Sequence, residues 1–298
     1  MNASGLPALA ASVLLAPLFL GVINRTKAAF AGRRGASVFQ PYHDLLRLSR
    51  KGFVFSRTTT WIFRAAPIVT LVATLFAAAL LPLGPGAAPL GFGGDLVLFA
   101  YLFALGRFFT TAAALDTGSP FEGMGAAREV TFGCLSEPAV FFALLCLVRL
   151  SGSLSMGTML SAPVGGHAAS VVLCVAGLLV VLLLECSRVP FDDPNTHLEL
   201  TMIHEVMVLD HSGPLFGVIL YGAAIKLFVL GTIIVRLALP VPGSPWLGRI
   251  QLIVGLLFLS LLVGSVESLT GRVRMRKIPN LMLGAVLLTA FAFLLMVR

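Results

Sequence analysis

Residues 215–239 read LFGVILYGAAIKLFVLGTIIVRLAL. The run is apolar all round a helix rather than along one stripe. It also exceeds the ~20 helical residues that cross a bilayer core of about 30 Å. Seven further stretches read the same way: approximately Leu6–Ile23, Ile62–Leu83, Asp95–Leu115, Val130–Leu150, His167–Glu185, Leu247–Val266 and Leu281–Val297. Such long unbroken runs exclude a β-barrel, whose strands alternate apolar and polar residues. The predicted fold class is an all-α integral membrane protein, one polytopic domain over residues 1–298 with eight transmembrane helices.

Composition supports this. Of 298 residues, 58% are apolar and 11% charged, against about 25% charged in a soluble domain. A soluble domain, a disordered chain, a coiled coil and a disulfide scaffold are all excluded. No Lys or Arg precedes the first apolar run, so that segment is expected to stay as the first span rather than act as a secretory signal. The first and last spans are short and expected to stand nearly upright. Pro138 is expected to interrupt the fourth, because it removes a backbone hydrogen bond.

The net charge is +8, and its placement carries the information. Sixteen of the 21 basic residues fall in or beside the odd-numbered connections, which makes those loops cytoplasmic and puts both termini outside. The charge is then a topology signal and calls for no nucleic acid. Acids gather on the same side: Asp44, Asp116, Glu122, Glu129, Glu185, Asp192, Asp193, Glu199, Glu205, Asp210 and Glu267. The outer loops hold little but Gly, Pro and Ser. The cytoplasmic face is therefore expected to dock or serve a partner. The longest loop, Asn24–Trp61, is too short for a core of its own. Within it, Val38–Arg50 suits a short amphipathic helix. Pro41 would lie in its first turn and Asp44 near its positive end, with Leu45, Leu46 and Leu48 facing lipid or a partner.

Ionisable residues at membrane depth are costly and point to function. Glu137 lies about a third of the way into the fourth span, either as a proton-relay carboxyl or as a rim carboxyl hydrating the helix end. Lys226 lies in the middle of residues 215–239, too deep for easy snorkelling. It reads as a relay or as the partner of a carboxylate such as Glu137. The fifth connection, Glu185–Gly213, holds six acids against one arginine. Crowded carboxylates there could collect and pass protons; the plainer reading is a solvated acidic loop. His197, His204 and His211 recur every seven residues, on one face if helical. HExxH is absent, so a proton-carrying or interface role is preferred to a metal. Cys134, Cys146, Cys174 and Cys186 form no CxxC pair and read as small apolar helix residues. With no Walker A loop, no GxGxxG after a strand and no haem-spaced histidines, no redox centre, metal or nucleotide site is expected in this chain.

Glu185, Arg188, Pro190, Phe191, Asp192, Pro194, Glu199, Leu200, Asp210, Ser212 and Gly213 resemble the E-x-x-R-x-P-F-D-x-P…E-L…(D/E)-x-S-G motif of the respiratory complex I subunit 1 family. A second block, Gly32-Arg33…Gly35…Gln40-Pro41…Asp44…Leu46, looks like that family's segment after the first span. A third, Arg128…Ser136-Glu137, is similar to its R-x8-E segment. Asn195 and His197 stand where complex I subunits usually carry Glu, which looks like the formate hydrogenlyase and hydrogenase-4 branch of group 4 [NiFe] hydrogenases.

The resemblance implies a subunit that anchors a hydrogenase-like arm to the bacterial or archaeal cytoplasmic membrane and links its redox turnover to ion movement. Nickel–iron and iron–sulfur centres are then expected in partners: large and small hydrogenase-like subunits and a ferredoxin-like subunit on the cytoplasmic face, with antiporter-like subunits in the membrane. Glu137, Glu185, Glu199, Glu205, Asp210 and Lys226 would carry or gate protons. Arg128 and Arg188 would hold carboxylates in place. Gly32, Arg33, Arg34, Gly35, Gln40, Pro41 and Asp44, with Pro190, Phe191, Asp192 and Pro194, would shape the docking surface. Two alternatives stay open: a quinone-chamber subunit of an NADH:quinone oxidoreductase-like complex, and a stand-alone proton-coupled secondary transporter.

Overall fold

In the computed structural model the residues described are 5–83, 88–162, 166–192, 202–240, 242 and 244–298. Among these residues ten α-helices follow in order: α1 (Leu6–Phe30), α2 (Gln40–Ser49), α3 (Trp61–Ala79), α4 (Asp95–Asp116), α5 (Pro120–Ser151), α6 (Met156–Met159), α7 (Ala168–Glu185), α8 (Gly213–Ala238), α9 (Pro245–Leu269) and α10 (Ile278–Val297). Eight of them, all but α2 and α6, are long and apolar enough to cross a membrane. The all-α membrane architecture is as the sequence predicts, down to an amphipathic helix in the first connection.

Local chemistry sets the ends. Proline opens α1, α2, α5, α8 and α10, where its missing N–H leaves nothing unpaired. The Thr60 hydroxyl caps α3 by accepting from Ile62 N. Gly152, at φ +64°, closes α5 in a left-handed conformation that costs other residues more. Two expectations need correction. α5 begins ten residues earlier than its apolar run and continues through Pro138 without a break. α1 is 25 residues long, not a short upright span.

α8 is the most enclosed helix and packs against α1, α2, α3, α7 and α9. Around it α3 pairs with α4, α10 with α5 and α7, and α1 with α9. Lipid tails are as apolar as leucine, so close packing rather than burial from water drives such contacts. Small residues permit it: Gly177 of α7 meets Thr289 and Ala285 of α10, and Gly264 of α9 meets Thr26 of α1. α2 is drawn in toward the bundle. The Tyr42 hydroxyl donates to Leu14 O at 2.6 Å, and Leu48 lies over Gly217.

The first and fifth connections are tied together. Val54 N donates to Ser212 Oγ, whose hydroxyl donates back to Val54 O, each at 3.1 Å. Asp116, at the end of α4, accepts from Thr60 N at 2.7 Å. At the opposite end of the bundle, Asp95 is fully buried and accepts from Met156 N at 2.6 Å, Phe92 N at 3.2 Å and Ser155 Oγ at 3.3 Å.

Candidate functional site

Lys226 projects from the middle of α8, and its Nζ stands 2.6 Å from Glu185 Oε2, on the last residue of α7. The other Glu185 oxygen accepts from Ser136 Oγ at 3.0 Å and pairs with Arg107 Nη2. Arg107, from α4, spreads its three nitrogens over three carboxylates. Nη2 takes Glu185, Nη1 pairs with Glu137, and Nε lies 3.2 Å from Glu129. Glu129 continues the series: its Oε2 is 3.0 Å from His204 Nε2. His204 Nδ1 is 3.4 Å from Asp192 Oδ2, and Asp192 Oδ1 is 3.4 Å from Arg272 Nη2. An unbroken path of ionisable groups thus runs from the interior of α8 to the connecting loops.

Charge balance explains how it can be buried. Glu129, Glu185 and Asp192 are 6%, 7% and 1% exposed, and removing such groups from water unpaired costs several kcal/mol each. Lys226, Arg107, protonated His204 and Arg272 match Glu185, Glu129, Glu137 and Asp192 one for one. In the loops the titration follows from the geometry. Burial disfavours a charged His204, but Glu129 and Asp192 on either side outweigh it and raise its pKa to about 10. Burial likewise opposes ionisation of Asp192. The His204 side chain and the backbone N–H groups of His204 and Ile203, at 2.9 and 3.1 Å, reverse this and hold the carboxyl below its ordinary range. Arg107 cannot give up its proton. It acts as a fixed charge on which the carboxylates of Glu129, Glu137 and Glu185 converge.

A second group lies beside the first. Glu267 of α9 is held between Lys27 Nζ of α1 at 2.8 Å and Arg188 Nη1 at 3.4 Å. Val273 N donates to Pro190 O at 2.9 Å, joining the loop that carries Arg188 to the one that carries Arg272.

The sequence-predicted residues divide. Glu185 and Glu137 come together on Arg107, and Lys226 joins them through Glu185 and not through Glu137. Glu137 turns outward, its side chain 60% exposed. Arg188 does hold a carboxylate, Glu267. Arg128 donates to Met202 O at 2.6 Å and so braces the segment that carries His204. Asp210 is exposed and stands apart from the path; its backbone N–H donates to Glu122 at 3.0 Å. Glu205 begins a 3-10 turn, Glu205–Val208. Glu199 and Pro194, like Asn195 and His197, lie outside the described residues.

The docking residues also divide. Gly32, Arg33, Arg34 and Gln40 are exposed, Gly35, Pro41 and Asp44 half-buried. Gly35 O accepts from Arg25 at 2.9 Å, and Asp44 accepts from Gln40 and Arg47, each at 3.1 Å. Pro190 is half-buried, but Phe191 and Asp192 are each 1% exposed. They are therefore packed inside the chain, where Asp192 serves the ion-pair path instead of an outer surface. The histidine periodicity does not mark a helix face. His204 precedes the 3-10 turn, and His211 stacks on Phe63 with centroids 3.9 Å apart and planes 11° apart. Burial holds the His211 pKa down to about 4.

Sequence reasoning missed Arg107, Glu129, Glu267, Lys27 and Arg272 as members of the site. Arg107 had a signal: it stands inside the third apolar run, eight residues before its end, yet reads as one more topology charge. Among the described residues no three His, Cys, Asp or Glu side chains are grouped to hold a metal ion.

The chain is 35% identical to hydrogenase-4 component C of Escherichia coli (strain K12) over 231 residues, covering 76% of this chain and 72% of that protein. It is 31% identical to formate hydrogenlyase subunit 4 of the same organism over 261 residues, covering 86% and 82%. Its fold matches a chain of the membrane-bound sulfane sulfur reductase, an archaeal respiratory membrane complex, with a TM-score of 0.83 at 20% identity over 98% of both chains. The family model described as NADH dehydrogenase matches residues 5–298. The chain therefore belongs to the NADH dehydrogenase family, that of complex I subunit 1.

Proposed function

We propose that this chain is the membrane-anchoring, proton-pathway subunit of a multisubunit hydrogenase or formate hydrogenlyase-like oxidoreductase, coupling electron transfer in a cytoplasmic arm to ion translocation. The observation that carries this reading is the continuous path Asp192–His204–Glu129–Arg107–Glu185–Lys226. A structural role alone would be served by isolated pairs. Here each carboxylate touches a neighbour that can take up or give back charge, and the series ends deep in a membrane helix.

The chain's own residues would act as follows. Asp192 and His204 exchange protons with the loop region, which faces the arm. A redox-driven shift of that loop alters the His204–Glu129 contact. Because Glu129, Glu137 and Glu185 share Arg107, protonating one frees the guanidinium to bind the others more tightly. Glu137, exposed on the outer side of α5, takes up a proton from outside the path when Arg107 turns to Glu129 and Glu185, and gives it up when Arg107 returns to it. Nickel–iron and iron–sulfur centres supply the electron chemistry from partner subunits; no residue here performs it.

The experiment is a comparison of the whole complex, wild type and Glu137→Gln, in sealed vesicles. The reading expects unchanged turnover of the arm with artificial dyes and reduced ion translocation. Unchanged translocation in the variant refutes the assignment of Glu137.

A further inference from the structure

At the end of the bundle away from the ion-pair path, α1 and α9 border a cavity of about 290 Å³. Ala8, Ala11 and Leu15 of α1 face Leu252 and Leu256 of α9 across it, and the buried Phe19 lies at its inner end. Ala8 to Phe19 spans eleven residues, about 16 Å along the helix. That is roughly half of a ~30 Å hydrocarbon core, the depth of one leaflet.

One charged side chain lines this apolar groove. Arg249 stands over the exposed Trp246 ring, 5.3 Å from its centroid, and its Nε has no partner among the described residues. Arg236, 5% exposed, reaches Gly248 O, one residue away, and its Nε is likewise without a partner among the described residues. No acid among the described residues balances these cations. Asp95, the acidic side chain at that end, is fully buried and already accepts three bonds. An exposed tryptophan beside an arginine marks the headgroup level of a bilayer.

We infer that this groove is a binding site for an anionic phospholipid. One acyl chain lies along Ala8–Phe19 and the headgroup phosphate sits on Arg249. An apolar slot one leaflet deep, with an uncompensated cation at its mouth, complements that ligand at both ends. A helix from a neighbouring subunit, about 10 Å across, is too wide to enter a slot of this volume.

The test uses the purified, delipidated complex and native mass spectrometry. Phosphatidylglycerol, phosphatidylcholine and inorganic phosphate are added in separate arms. The expected result is one retained phosphatidylglycerol per copy of this chain, with weaker phosphatidylcholine binding and no displacement by phosphate. Arg249→Gln should weaken phosphatidylglycerol binding about fivefold, since one cation near the surface contributes about 1 kcal/mol, and weaken phosphatidylcholine less, because its choline cation already offsets the phosphate. Ala11→Trp, which fills the groove, should abolish retention of both lipids. Equal retention of the two lipids by the wild type overturns the inference. So does retention that survives Ala11→Trp, binding of phosphate without lipid, or a cross-link from Ala11→Cys to a neighbouring subunit's helix in place of lipid.

Discussion

Lys226 Nζ lies 2.6 Å from Glu185 Oε2, joining the middle of α8 to the end of α7 inside the bundle. Two buried charges so placed stabilise the fold only as a pair. Glu185→Gln leaves Lys226 without its contacting counter-charge and should cost about 3 kcal/mol, whereas removing both charges should cost far less. In thermal denaturation of the detergent-purified complex, Glu185→Gln should therefore melt below the Glu185→Gln/Lys226→Met double variant. The reverse order contradicts the pairing.

Arg107 serves three carboxylates through three different nitrogens. Lysine keeps the charge but offers one nitrogen on a flexible stem. Arg107→Lys should thus impair ion translocation nearly as much as Arg107→Gln does. Full translocation in Arg107→Lys would show that charge alone is needed there and that the geometry is incidental.

His204 gives a pH signature. Its folded-state pKa, about 10, lies above the ordinary 6.5. The stability it contributes is fully present below about pH 6.5 and is lost as pH rises toward 10. Melting temperature should fall across that window in the wild type, and His204→Gln should flatten the fall. Parallel curves for the two proteins would rule out the charged imidazole.

His211 should behave oppositely. Its pKa is held down to about 4 by burial against Phe63. Unfolded histidine takes up protons more readily between about pH 6.5 and 4, so stability falls as pH drops through that range. His211→Phe keeps the ring contact and removes this acid loss, which acid-side melting curves would report.

The membrane fold is legible in the sequence because the bilayer sets one length for every span, and eight stretches meet it. The start of α5 is not. Residues 120–129, PFEGMGAARE, are polar and glycine-rich and carry no bilayer signal. Packing makes them helical, with Gly125 fitting against Val206 and Ile203 of a distant loop. The site was half legible. Glu137, Glu185 and Lys226 stand out because charge in an apolar run is anomalous. The pairing of Lys27 with Glu267 spans 240 positions and depends on how α1 meets α9, which no local pattern encodes. Arg107 went unrecognised because counting loop charges records its sign and not its depth. The sevenfold histidine spacing misled because the segment is shaped by Asp192 and a 3-10 turn rather than by helical periodicity.

The central claim is that the buried carboxylates take up and release protons in turn, coupled through the fixed charge of Arg107. The most direct measurement is the ratio of protons moved to electrons transferred in vesicles holding the Glu185→Gln/Lys226→Met complex, which loses two members of the path but no net charge. The account predicts dye-linked redox activity near that of the wild type and a sharply lower ratio. A wild-type ratio in that double variant would contradict it.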